Sequence, residues 1–209
     1  MMGIENFWAF IITAFIFIMT PGIDTVYILN TALSQGKKAG FYATLGINTG
    51  ILVHTLLAAL GVSMIVANSV VAFTIIKYMG ALYLFYLGIS KMREKQSPLN
   101  FDAVLEKKSV KQNFMSGIIT NVLNPKVALF FISFFPQFIH FDALNNPLPF
   151  IVLGLTYALM GILWFCFLTV FADIISSKLK NSTQTGFWLN KLSGLVFILM
   201  GLKMALSKR

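Results

Sequence analysis

Charge is what this sequence has least of. Only 11% of its 209 residues are charged, where a soluble globular chain carries about a quarter. Acidic residues are the scarcest, 7 against 16 basic ones. A chain that is 57% hydrophobic with a mean hydropathy of +0.81 has more apolar surface than a soluble core can hide. That excludes a cytosolic domain and makes the lipid bilayer the partner of the surplus. Cysteine is nearly absent. The single Cys166, inside an apolar run, excludes an internal disulfide and a Cys-x-x-Cys redox pair. Two histidines on separate segments, no His-Glu-x-x-His, no Gly-x-Ser-x-Gly and no acid-rich cluster leave out the machinery of a membrane-embedded enzyme. No metal and no cofactor are expected. The 21 phenylalanines are read as lipid-facing and packing residues, because their spacing outlines no cofactor site.

Long apolar runs are what the sequence does have. Six spans of about 20 residues use roughly 120 positions, so a single transmembrane domain fills residues 1–209 and no soluble domain fits beside it. Hydropathy places the spans near 7–33, 40–66, 70–90, 114–139, 148–172 and 186–206. The first run exceeds a signal-peptide core and has no Ala-x-Ala-like site after it, so it is read as a retained helix. The formal charge of +9 records orientation rather than nucleic-acid binding. Lys37, Lys38, Lys91, Arg93, Lys95, Lys107, Lys108, Lys111, Lys178 and Lys180 all fall in loops on one side, whereas the other side has Lys208 and Arg209, with Asn68, His140 and Asp142 in its loops. The basic side is expected to be cytoplasmic and both termini outside. Lys77 and Lys203, near span ends, do not discriminate.

The chain also reads as duplicated. Pro21 and Pro125 interrupt the first and fourth spans 104 residues apart, half the chain. Lys77-x-x-Gly80 with Gly88 and Lys91-Met92 parallels Lys191-x-x-Gly194 with Gly201 and Lys203-Met204, allowing a one-residue slip. Three spans per half turn the second half over. The expected fold is therefore all-α and integral to the membrane: six transmembrane helices as two inverted three-helix repeats, about 1–92 and 113–209. A cytoplasmic loop of about 93–112 joins them, with broken helices in spans 1 and 4.

Each break pairs cap chemistry with proline: Thr20-Pro21-Gly22-Ile23-Asp24 and Asn121-Val122-Leu123-Asn124-Pro125-Lys126. Thr20 and Asn124 are read as N-caps, with proline at the first position of a restarted helix. Free N–H groups and the positive dipole end of such a restart bind anions, including an amino-acid carboxylate. Asp24 and Lys126 lie well inside their spans, where each charge costs about 2.5–3.5 kcal/mol on insertion scales. Counted along the helices they differ in depth by roughly one turn, so an ion pair or a shared cavity is expected. Asp24 is assigned to a substrate ammonium or a coupling proton, and Lys126 with the Asn124 restart to a carboxylate. Asn48, Asn121, Gln137 and Tyr157 either line a polar path or bond between helices. His54 continues the small-residue face of Gly46, Gly50, Ala58 and Gly61 and is read as a neutral, hydrogen-bonded interior histidine. Asp173 is placed at a helix end. Gly154 and Gly161 mark a helix contact in the fifth span, and the small-residue faces leave room for a homodimer.

Thr20-Pro21-Gly22-Ile23-Asp24-Thr25, then Gly36-Lys37-Lys38-Ala39-Gly40 and Gly46-x-x-x-Gly50, resemble the opening of the lysine exporter/homoserine-threonine resistance (LysE/RhtB) family. So do Lys77-x-x-Gly80-x-x-Tyr83-Leu84, Leu87-Gly88 and Asn124-Pro125-Lys126-x-x-x-Phe130-Phe131. The resemblance runs nearly the full chain and implies a bacterial inner-membrane exporter of amino acids or their derivatives, driven by proton antiport. One departure is Pro21-Gly22-Ile23 where the family commonly has Pro-Gly-Pro, which leaves the first break less rigid. A related branch exports cadmium, but one Cys and no acid-rich cluster argue against metal here. With Asp24 the only strong intramembrane carboxylate, a neutral substrate such as threonine, homoserine or leucine is expected over a basic one. The alternatives are a basic amino-acid exporter of the same family, a passive channel, since polar paths and broken helices occur there too, and a membrane-embedded enzyme, for which the sequence offers the least.

Overall fold

A computed structural model describes residues 3–62, 69–93, 108–175 and 183–206. The protein is all-helical, with no β-strand among the described residues. Within a bilayer a helix satisfies its own backbone polar groups, which is why apolar runs take that form. In chain order the helices are α1 (Phe7–Met19), α2 (Ile23–Gln35), α3 (Lys37–Leu57), α4 (Val70–Arg93), α5 (Val110–Val122), α6 (Pro125–Leu129), α7 (Pro147–Val170) and α8 (Thr183–Leu206). α3 runs on into a π-helical turn, Ala58–Val62, and α6 into a π turn, Phe130–Phe134, and a 3₁₀ turn, Phe135–Phe138.

Two helices, Lys37–Gly61 and Pro147–Val170, are long and apolar enough to cross a membrane. The pairs α1/α2 and α5/α6 with its continuation pass the same test as broken spans, bent by 53° and 50°. α4 and α8 have 24 residues each, about 36 Å of helix. The helices coincide with the spans expected from hydropathy to within a few residues. Residues 63–66, Asn68, most of the 93–112 loop with Lys95 and Lys107, and Lys178, Lys180, Lys208 and Arg209 lie outside the described residues.

The caps explain where several helices begin. At α5, Ser109 Oγ accepts from the Gln112 N–H (3.2 Å) and Gln112 Oε1 accepts from the Ser109 N–H (2.8 Å), a reciprocal capping box. At α6, Asn124 Oδ1 accepts from the Lys126 N–H (3.0 Å) with Pro125 at the first helical position, as the sequence predicts. The first break differs. Thr20 closes α1, its hydroxyl donating to Ile16 O (2.8 Å), and the new helix starts three residues later, at Ile23 behind Gly22, whose backbone is extended (φ −150°, ψ −167°). The threonine side chain satisfies the helix it ends rather than the one that follows, so Thr20 is no N-cap and Pro21 is not the first residue of α2.

The contacts fix how the helices run past one another. α3 and α5 run parallel and very close: a Cβ on Gly46 would strike Phe114 O and one on Gly50 would lie 2.7 Å from Asn121 Oδ1. α3 and α7 are antiparallel, with Thr55 against Gly154 and Asn48 against Gly161. The Thr44 and Thr169 hydroxyls meet at 3.3 Å beyond them. α4 and α8 are antiparallel and cross twice, Gly88 on Gly194 and Gly201 on Ala81. α1 and the α6 continuation are antiparallel through ring pairs Phe10–Phe138 and Phe17–Phe130. Many phenylalanines are core rather than lipid-facing: Phe10, Phe17, Phe130, Phe131, Phe135 and Phe150 are among the fully buried ones. On one face the N-terminal segment docks on the end of this rod, the Glu5 N–H donating to Phe138 O (2.7 Å) and the His140 N–H to Gly3 O (2.7 Å).

Candidate functional site

The two breaks meet around one small cavity. Its polar lining comprises Thr20, Gly22, Asp24, Thr25, Asn121, Asn124, Lys126 and Tyr157, and its apolar wall Phe17, Ile18, Ile51, Val127 and Phe165. The cavity measures about 20 Å³, room for about one water and far less than an amino acid needs.

Asp24 is buried in the first turn of α2, where the helix dipole favours a carboxylate. Its Oδ2 accepts from Asn121 Nδ2 at 2.9 Å. Among the described residues nothing donates to Asp24 Oδ1 or to Asn121 Oδ1. Behind Asn121 stands His54, whose Nε2 must donate, since its partner at 3.1 Å is the Asn121 backbone carbonyl. The imidazole stacks on Phe131, ring centroids 5.7 Å apart. This is the hydrogen-bonded interior histidine that the small-residue stripe predicts.

Lys126 does not pair directly with Asp24, although both face the cavity. Its ammonium donates to Thr20 O (2.9 Å) and Phe17 O (3.0 Å) and sits 4.5 Å from the centre of the Phe17 ring. These carbonyls belong to the last turn of α1 and its cap, which otherwise lack intrahelical donors. One lysine from the second break thus closes the helix that ends at the first. The two restarts are also equivalent position by position: Gly22 and Asn124 are the caps, and Asp24 and Lys126 each occupy the second helical position.

Of the residues singled out from the sequence, the structure brings Thr20, Gly22, Asp24, Asn121, Asn124, Lys126 and Tyr157 to the cavity. Pro21 and Pro125 shape the breaks without lining it. Asn48 is not part of it. Its Nδ2 donates to Thr44 O on its own helix (2.8 Å) and its side chain faces Gly161 across the α3–α7 crossing, so it belongs to helix packing. Gln137 sits in the 3₁₀ turn beyond α6, away from the cavity. Thr25 and the apolar wall carry no sequence signal of their own, though Thr25 follows Asp24 directly.

A family model described as LysE type translocator matches residues 15–208. The chain is 36% identical over 208 residues to an uncharacterized membrane protein, YrhP, of Bacillus subtilis, covering 95% of this chain and 98% of that one. It is 32% identical to a leucine efflux protein of an Enterobacter species, covering 94% and 93%. A leucine efflux protein of Salmonella choleraesuis is 28% identical over 94% and 92%. No solved structure matches.

Proposed function

The chain belongs to the LysE type translocator family, a transporter and not an enzyme, and we propose that it exports a neutral amino acid or close derivative from a bacterial cell by proton antiport through the cavity between Asp24 and Lys126. The observation that carries this reading is the unpaired carboxylate oxygen. Asp24 Oδ1 and Asn121 Oδ1 are buried acceptors with no donor among the described residues, and a buried acceptor left so costs about 1–3 kcal/mol. A substrate ammonium supplies the missing donors. Lys126 and the N–H groups of the α6 restart offer the matching site for a carboxylate.

Charge count favours a neutral substrate. Among the described residues, Asp24 is the only carboxylate and Lys126 the only amine in the lining. Together they complement the two backbone charges of a zwitterion and leave the apolar wall for its side chain, as for leucine, threonine or homoserine. Antiport follows from exclusion. Asp24 can hold the ammonium or a proton but not both, so release outside allows protonation, and return of the proton inward frees the carboxylate again.

Helix directions support six alternating crossings in two inverted halves. α3 and α5, as spans two and four, are parallel, while spans two and five, three and six, and one and four are antiparallel. The double crossing of α4 and α8 is reciprocal, Gly88 on Gly194 matched by Ala81 on Gly201, as a two-fold relation between repeats requires. The excess of basic loop residues orients both termini outward across the inner membrane.

Purified protein in liposomes tests the reading with a panel of labelled neutral, basic and acidic amino acids under an imposed proton gradient. Saturable export of neutral substrates that follows the gradient is expected. Ohmic, unsaturated flux would make the protein a channel, and preference for lysine or arginine would overturn the neutral assignment.

A further inference from the structure

A second group of orphaned polar atoms lies away from the cavity. Among the described residues, Asn30 Oδ1, Thr31 Oγ1, Gln35 Nε2 and Asn113 Oδ1 are buried without a partner, and all four belong to the far end of α2 or the start of α5. Thr31 and Asn113 are almost wholly inaccessible, at 0% and 1% exposure. Buried polar groups in native proteins are nearly always paired, so three such atoms along one seam, on Thr31, Gln35 and Asn113, need a reason.

The seam is continuous with the central site. Asp24, Tyr27, Thr31 and Gln35 recur at three- and four-residue spacing, one face of α2, and Asn113 and Asn121, two turns apart on α5, reach across to it. Three side-chain bonds tie the faces, and Gln35 Oε1 also accepts from the Lys108 N–H just before α5 (2.9 Å). Asn121 Nδ2 donates to Asp24 at the inner end, the Tyr27 hydroxyl donates to Asn113 O (2.9 Å), and Asn113 Nδ2 donates to Gln35 Oε1 (3.1 Å). From Asp24 to Gln35 is about 16 Å along the helix. At the outer end stand Lys37, Lys38, Lys108 and Lys111, the residues that mark the cytoplasmic side.

We infer that the α2–α5 seam is the closed cytoplasmic gate of the transport path, a track of uncharged polar side chains along which a zwitterion reaches Asp24. Separating the helices breaks these bonds, of which only the one to the Asp24 carboxylate involves a charged group, and hydrates three atoms that lack partners among the described residues while it is closed, so the orphans lower the cost of opening. The track contains no carboxylate outward of Asp24, so an ammonium is not arrested before the central site. This inference rests on the transport reading above and adds the route to it.

The test ties the two faces together. In a Cys166→Ser background, Gln35→Cys/Asn113→Cys protein is reconstituted and treated with a short bifunctional methanethiosulfonate, and export of radiolabelled leucine is measured before and after reduction. The expected result is a loss of more than about tenfold on cross-linking, restored by dithiothreitol and absent in either single-cysteine variant. Cross-linked protein, verified by mass spectrometry, that exports at the untreated rate overturns the gate. Asp24→Asn in the same assay separates the two readings, because its full activity would overturn the central site instead. Should the double variant fail to fold, Thr31→Cys carries the test. A membrane-impermeant maleimide applied from the cytoplasmic side should label it, at a rate that saturating leucine changes several-fold, and a residue never labelled from that side overturns the gate.

Discussion

Lys126, from the second break, donates to the carbonyl of Thr20, at the end of the first broken helix, across 2.9 Å and 106 positions of sequence. The bond joins the two halves of the chain at the point where each is interrupted. Under the transport reading proposed above, the same ammonium would have to serve both the α1 carbonyls and a substrate carboxylate. On that reading, a ligand that drew the ammonium away would uncap α1 and so link binding to the bend of the first span.

Replacing Lys126 by alanine should therefore do two things. Two hydrogen bonds from a charged donor are lost, each worth about 1.5–3 kcal/mol, and the melting temperature in detergent should fall. Export should fall by more than about tenfold, because the carboxylate partner is gone as well. Lys126→Arg separates the roles: a guanidinium can still cap the carbonyls but does not fit as a compact point charge, so stability should recover more than transport. Recovery of both to wild-type levels would remove Lys126 from substrate binding.

At Asp24 the conservative change isolates charge from packing. Asn in this place keeps an oxygen for the Asn121 amide, so the protein should fold and reach the membrane. It cannot release a proton or balance an ammonium. Net export driven by a proton gradient should be lost, and labelled leucine should no longer compete for the site. Undiminished gradient-driven export by a folded Asp24→Asn protein would sink the assignment.

Which parts of this were legible in the sequence follows from whether the cause is local. Proline lacks an N–H wherever it stands, so Pro21 and Pro125 announce the breaks, and an intramembrane Asp24 or Lys126 is costly in any fold. The Asn124 cap is local too and was readable. The first restart was not, because Thr20 could cap either the helix before it or the one after, and only the Ile16 carbonyl in reach of its hydroxyl decides. Asn48 stays open in the sequence for the opposite reason: a polar residue within a span says that it needs a partner, not whether that partner is a path or its own helix. Gln35 and Asn113 look like ordinary helix-end residues until α2 and α5 are brought together. The pairing of Lys126 with α1 is wholly non-local and leaves no periodicity.

His54 provides a test of role rather than presence. Its Nε2 donates to the Asn121 carbonyl, which also accepts from the Asn124 N–H (2.9 Å), so the imidazole supports the second break from behind. Glutamine retains a donor of similar reach without a titratable group. His54→Gln should cost about 1 kcal/mol of stability and leave proton-driven export within about twofold. A loss of coupling with binding intact would instead make the imidazole part of the proton path.

The α3–α5 crossing should be the least forgiving packing in the protein. A Cβ on Gly46 would run into the backbone oxygen of Phe114 and lie 3.1 Å from Gly117 Cα, and backbone cannot swing aside as a side chain can. Because α5 carries Asn121 at its inner end, any displacement there also moves the donor to Asp24. Gly46→Ala should destabilise by about 1–3 kcal/mol, the usual cost of overpacking, and lower export beyond what reduced protein amount explains. Gly61 makes the control. Among the described residues nothing lies within 4 Å of a Cβ there, and alanine is the better helix former, so Gly61→Ala should leave expression and export unchanged. Equal tolerance at both positions, read from detergent melting curves and from transport per folded molecule, would mean that α3 and α5 do not cross as closely as Gly46 and Gly117 place them.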